Sequence, residues 1–300
     1  MKKTIMLISM MMIVFIFNGF TLFQNKDKKA ILFVNFGTTY NDTRVATIDT
    51  LQKKIADTYK DYDVRLAYTS RQIIRKLSER DGIRIDTPEE ALKKLKADGY
   101  GTVIVQATHI INGEEADYLK REVASLKDDF YVIKLGHPLL THIKDYELTM
   151  KALQLQYSEL KADEAVVLIG HGTHHPSTSA YAMIDYFFQD ASQNVYFGTV
   201  EGFPSYDNVL TRLKKNGIRT VTLMPFLFVA GDHANNDIAG DEEDSWKSML
   251  LKEGFNVNVY LHGLGENEAI QQIFIEHIEH AITNKEIDMK RKKAGYALGK

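Results

Sequence analysis

From Ala30 onward the chain alternates short β-rich runs with longer segments of helical period, and this alternation restricts the fold more than any other feature. The predicted strands are 30–36, 63–68, 102–107, 131–135, 165–169, 194–199, 220–224 and 256–260. Helical stretches between or after them include 41–59, 114–126, 143–160, 205–215 and 266–282. The stretch TPEEALKKLKADG adds a further helix, with Thr87 as N-cap, Pro88 at the first helical position and Gly99 just past the end. Strands separated by helices are the pattern of parallel sheets covered by helices, an α/β fold. The 300 residues, 44% hydrophobic and 26% charged, suffice for one large domain or two lobes with their own cores.

An internal repeat favours two lobes. VIVQATHIINGEEAD from Val103 aligns without gaps on VTLMPFLFVAGDHAN from Val221, so Gly113 falls on Gly231 and Glu115 on His233. FVNFGTT from Phe33 lies on VLIGHGT from Val167, with Phe36 over His171 and Gly37 and Thr38 over Gly172 and Thr173. We therefore expect two similar Rossmann-like lobes, 29–145 and 146–300, the second carrying the last helix and a basic tail, MKRKKAGYALGK.

Residues 1–28 read differently. Lys2 and Lys3 precede an uncharged apolar run, 4–23, of the length that spans a bilayer. A cleaved secretory signal and an uncleaved anchor both fit, and either predicts an extracytoplasmic location, periplasmic, secreted or membrane-tethered. The absence of cysteine excludes disulfides, thiolate metal sites and acylation of a lipoprotein cysteine, so any metal must use His and carboxylates. A net charge of −3 argues against a nucleic-acid surface. The sequence lacks the glycine fingerprints of nucleotide-binding loops and the G-x-S-x-G elbow of serine hydrolases. It leaves homo-oligomerisation open.

In open parallel sheets ligands bind beyond the carboxyl ends of the strands. At those ends the first lobe offers Asn35 and Phe36, then Thr69, Ser70 and Arg71, then His109 with Glu114 and Glu115; the second offers His171, Glu201, Asp232 and His233. His171, Glu201 and His233 fall at three successive strand ends of one lobe. Two neutral imidazoles and a carboxylate suit Co²⁺, Ni²⁺, Fe²⁺ or Zn²⁺ better than Mg²⁺ or Ca²⁺. His174 and His175 are expected at the rim, and the His277/His280 pair on a solvated helix edge.

NFGTTYNDTR, AYTSRQIIRKL, RDGIRIDTPEEAL, HIINGEEADYLK, LGHPLL, LIGHGTHHPS, EGFPS, MPFLFVAGDHANNDIAGDEEDSWK and GLGENEAI, in that order between about residues 30 and 280, resemble the anaerobic-pathway sirohydrochlorin cobaltochelatases. The resemblance implies two lobes of the ferrochelatase type around a cleft for an open tetrapyrrole, and insertion of a divalent metal, cobalt above all, without ATP. It places the proton-accepting histidine on His171, the metal-contacting set on His171, Glu201 and His233, and a further acidic cleft residue on Glu115. Arg71, with backbone amides near Thr38 and Thr173, is the expected partner for the macrocycle's carboxylates. An exported segment sits oddly with a cytosolic biosynthetic step, which keeps two alternatives in view: an exported tetrapyrrole or metal carrier, and an iron or nickel chelatase.

Overall fold

The computed structural model describes residues 25–157, 159–191 and 193–283; the apolar run 4–23 and the basic tail from Met289 lie outside the described residues. Strands β1 (Asn25–Asn35), β2 (Asp63–Tyr68), β3 (Tyr100–Ala107) and β4 (Val132–Leu135) form one parallel sheet in the order β2-β1-β3-β4. Strands β5 (Glu164–Gly172), β6 (Val195–Glu201), β7 (Thr220–Pro225) and β8 (Asn256–Val259) form a second, also parallel, in the order β6-β5-β7-β8. The two orders are the same, so the internal repeat is one of topology as well as sequence.

Each central strand is buried on both faces. Along β1, Ile31 and Phe33 enter the core shared by the two lobes, while Ala30, Leu32 and Val34 face an outer core of the first lobe. Along β5, Val166 and Leu168 enter the shared core and Ala165, Val167 and Ile169 an outer core of the second lobe. Burying a side chain of this size stabilises the fold by about 2 kcal/mol, and the alternation fixes strand register, because a slip of one residue would exchange the two cores.

Helix α1 runs as Asn41–Arg44, widens to a π-helical turn at Val45–Asp49 and continues as Thr50–Thr58. Helices α2 (Arg71–Asp81), α3 (Pro88–Ala97) and α4 (Glu114–Ser125) complete the first lobe's sequence-local cover. Thr87 caps α3 reciprocally with Glu90, as its spacing predicts. Helix α5 (Ile143–Gln154) leads to the second lobe, which carries α6 (Ser179–Asp190), α7 (Tyr206–Lys215), α8 (Trp246–Lys252) and finally α9 (Glu268–Thr283). Among the described residues no helix is long and apolar enough to cross a membrane.

Three sequence expectations change. Strand β1 starts at Asn25, inside the segment read as signal or anchor: the Asn25 N–H donates to the Gly99 carbonyl at 3.1 Å and the Thr102 hydroxyl donates to the Lys26 carbonyl at 2.9 Å. Backbone pairing rather than burial holds this charged extension, so hydropathy does not reveal it. The division at 145/146 falls within α5, which ends at Gln154 rather than 160. Helix α9, assigned with the second lobe, packs on α5, β3 and β4 of the first. The Tyr59 hydroxyl donates to the Ile275 carbonyl at 2.9 Å and Lys134 Nζ to the Ile282 carbonyl at 3.1 Å. The chain thus returns to its first lobe and ties the two together.

His277 is part of that tie. It is 1% exposed, against the expected solvated edge, with Nδ1 at 3.1 Å from the His137 carbonyl and Nε2 at 3.3 Å from Asp145 Oδ1. Burial works to raise the Asp145 carboxyl, but hydrogen bonds from His277 and from the His142 N–H outweigh it and hold the group below its usual range. A depressed folded-state pKa contributes stability above the unfolded value, lost as pH falls through the folded one. Asp145→Asn should therefore cost about 3 kcal/mol in urea unfolding at neutral pH, as expected for breaking a buried pair, and flatten the acid limb of the stability–pH curve.

Candidate functional site

Strand β5 extends beyond its apolar run, and this places His171 within the strand rather than after it, followed by Gly172 in register with Glu201 of β6. Gly172 has φ +89°, and a Cβ there would lie 1.4 Å from the Glu201 carbonyl oxygen. Only glycine allows the two strand ends to meet this closely. Beyond β7 the chain turns at Gly231 into a short helical segment that carries His233 and continues as a π-helical turn, Ala234–Ile238.

The three elements bring His171 and His233 together, ring centroids 4.6 Å apart and planes at 89°. His171 Nδ1 lies 3.0 Å from the Gly172 carbonyl and His233 Nδ1 2.7 Å from Asp237 Oδ2. A carbonyl and a carboxylate can only accept, so each Nδ1 donates, and Nε2 is the nitrogen left outside these bonds. The result is two imidazoles in edge-to-face contact, each with Nε2 outside the hydrogen bonds at Nδ1. Asp237, which sequence reasoning missed, fixes the tautomer and ring orientation of His233 as outer-sphere carboxylates do for metal-binding histidines. Its signal was the i,i+4 spacing in HANND, one helical turn from His233.

Glu201 is exposed at the adjoining strand end, and among the described residues no hydrogen bond or ion pair fixes its carboxylate. Among the described residues no three His, Asp or Glu side chains converge as a closed metal site. The expected set of His171, Glu201 and His233 is therefore not assembled: the structure brings the two imidazoles together and leaves Glu201 at the end of the next strand.

The first lobe closes on this edge. Thr38 packs beside Gly231, and the Thr43 hydroxyl donates to the Ala230 carbonyl at 3.4 Å. Thr38 itself is buried and its hydroxyl accepts from the Tyr40 N–H at 3.2 Å, so its side chain shapes the loop instead of facing a ligand. The Thr173 hydroxyl is likewise used locally, accepting from the His175 N–H at 3.0 Å. His175 is more than a rim residue: Nε2 lies 3.5 Å from Asp117 on α4, across the lobes. That contact, with Gly113 against Ser177, sets the first turn of α4 and its Glu115 against the loop that follows His171.

Arg71 stands exposed at the start of α2, near a group of carboxylates. Burial, then the charge of Glu89, raise the Glu122 carboxyl; Arg71 opposes that shift and Glu115 adds to it, which puts both at the acidic face of α4. Phe36 and Phe203, 51% and 52% exposed, follow the ends of β1 and β6.

Two parallel lobes of identical strand order, with imidazoles and a carboxylate at strand ends, form a chelatase-like fold that solved structures share. SirB from Bacillus subtilis with Fe³⁺ superposes with a TM-score of 0.62 at 17% identity, covering 87% of this chain and 98% of that one. CbiX, described as the terminal enzyme for biosynthesis of siroheme in denitrifying bacteria, gives 0.52 at 15% identity, covering 84% and 99%. The chain belongs to the cobalt chelatase (CbiK) family, whose model matches residues 29–283. It is similar to the sirohydrochlorin cobaltochelatase of Salmonella typhimurium, 44% identical over 255 residues, which covers 85% of this chain and 97% of that protein. It is also similar to the sirohydrochlorin cobaltochelatase CbiKC of Nitratidesulfovibrio vulgaris, 34% identical over 259 residues, covering 85% and 91%.

Removing the Asp237 carboxylate without changing its size tests the imidazole geometry. Asp237→Asn should weaken Co²⁺ binding, measured by calorimetry, by about 10- to 100-fold, the usual cost of losing an outer-sphere partner, and leave thermal stability nearly unchanged.

Proposed function

We propose that the protein is a sirohydrochlorin cobaltochelatase that inserts Co²⁺ into the metal-free macrocycle without a nucleotide, on the route to cobalamin. The observation that carries this reading is the His171–His233 pair, with both Nε2 atoms left open by hydrogen bonds at Nδ1. Fe²⁺ and Ni²⁺ suit the same donors; cobalt is preferred because the relatives in Salmonella and Nitratidesulfovibrio are cobaltochelatases.

Insertion exchanges two pyrrole N–H protons for one divalent ion. The N–H groups are weak acids, so a base must meet the ring centre while the ion is held by ligands that let it go. In this reading His233 and His171, with Glu201, hold Co²⁺. As the ion passes to the pyrrole nitrogens, His171 Nε2 is freed and takes one proton. Glu115, on the α4 turn set against the loop after His171, takes the second. Phe36 and Phe203 supply apolar surface at the strand ends for a flat macrocycle, and Arg71 serves its carboxylates. Export through residues 4–23 completes the reading; the mature N-terminus, determined by mass spectrometry, should lie beyond residue 23 if the segment is a cleaved signal.

The direct assay follows cobalt insertion spectroscopically with purified protein, sirohydrochlorin and Co²⁺. The wild type should turn over many times, and His171→Ala should lose at least about 100-fold in kcat, the usual scale of a general base, with the fold retained. Stoichiometric tetrapyrrole binding without metallation would instead identify a carrier. A variant rate within a few-fold of wild type would remove His171 as the base.

A further inference from the structure

The chain enters β1 at the end of the first sheet opposite to the one that meets the His171–His233 pair. Only Gln24 stands between Phe23, the last residue of the apolar run, and Asn25. Fully extended, that step reaches about 7 Å, so the end of the run is held close to the start of the strand. Asn25 pairs with Tyr100, the first residue of β3, and Val34 with Ala107, the last. At about 3.3 Å per residue along β3, these two pairs stand about 23 Å apart. The far end of β1 leads to the site: Thr38 packs beside Gly231, on the turn that carries His233.

The entering segment is tied to the lobe at several points. The Asn25 N–H donates to the Gly99 carbonyl at 3.1 Å, and the Thr102 hydroxyl to the Lys26 carbonyl at 2.9 Å. Lys28 Nζ donates to the Asp98 carbonyl at 2.7 Å and lies 4.3 Å from the centre of the Tyr100 ring. Gly101 leaves room for this path, since a Cβ there would come 2.6 Å from the Asn25 carbonyl oxygen. Such a segment is no flexible linker, and whatever holds Phe23 orients the lobe.

The sequence says what holds it. The uncharged run 4–23 has the length of a bilayer span, about 20 residues, and exceeds the apolar core of about 7–15 residues found in cleaved signals. The first alanine of the chain is Ala30, inside β1, so no Ala-x-Ala cleavage site separates the run from the fold. Charge does not supply the attachment, because Lys26, Lys28 and Lys29 are interleaved with Asp27 and face Asp98. We propose that residues 4–23 stay in place as a membrane span. The first lobe then stands on the bilayer with the N-terminal ends of β1 to β4 toward the lipid and the His171–His233 edge facing away. Ligands reach that edge from water rather than laterally through the lipid. The orientation follows from strand polarity and does not rest on the chelatase reading.

The chain has no cysteine, so single introduced cysteines give unambiguous labels. The full chain, extracted from the membranes of expressing cells, is reconstituted in phosphatidylcholine vesicles that carry an acceptor dye on a fraction of the headgroups. Mass spectrometry should find residues 4–23 retained, and a high-salt wash should leave the protein on the vesicles. A donor dye at Asp128→Cys, exposed ahead of β4, should transfer energy to the headgroups several-fold more efficiently than one at Asp232→Cys, exposed beside His233. Equal transfer from the two positions, or stronger transfer from Asp232→Cys, would overturn the orientation. A mature protein lacking residues 4–23, or release by salt, would overturn the anchor.

Discussion

The backbone of Gly172 rests against the carbonyl of Glu201, and the candidate site depends on that contact. It brings β5 and β6 to a common edge, with His171 near the end of one strand and Glu201 at the end of the other. Parallel pairing of β5 with β7 on its other flank brings the chain beyond Pro225 to the same edge and delivers His233. No local sequence motif is needed, because sheet order brings His171 and His233 together. A side chain at position 172 would have to part the strands, and the site would open with them.

The same scaffold is used twice for different chemistry. Gly37 and Gly172 both take left-handed φ values, +100° and +89°, at equivalent strand ends. Phe36 occupies in the first lobe the position of His171 in the second, and Glu115 that of His233. One lobe therefore presents an apolar ring and a carboxylate where the other presents two imidazoles. Helix α9 crosses back onto the first sheet, and its buried His277–Asp145 contact joins the chain's end to α5. The lobes face each other as parts of one core rather than as beads on a linker.

Much of this is legible in the sequence. All eight strands overlap the predicted runs, the central ones because a strand buried on both faces leaves a continuous apolar stretch. The repeat of Gly113 on Gly231 correctly signals equal topology. What escapes is held by polar or distant contacts. Residues 25–29 join β1 through backbone hydrogen bonds that carry no hydropathy signal. The apolar face of α9 says that it is covered but not by which lobe, and His277 looks like an edge residue because its partner Asp145 belongs to another helix. His171 and His233 are foreseen as neighbours, whereas the hydrogen bonds that set their tautomers are visible only in the fold. The Thr38 and Thr173 hydroxyls bond within their own loops, whereas the expectation there concerned backbone amides rather than these hydroxyls.

In the proposed function the two Nε2 atoms of His171 and His233 hold the ion before transfer. X-ray absorption of the Co²⁺-loaded protein, without tetrapyrrole, reads this directly. The account predicts a first shell with two imidazole nitrogens, recognised by their outer-ring scattering, completed by oxygen donors. A shell of oxygens alone, or one that His233→Ala leaves unchanged, would contradict it.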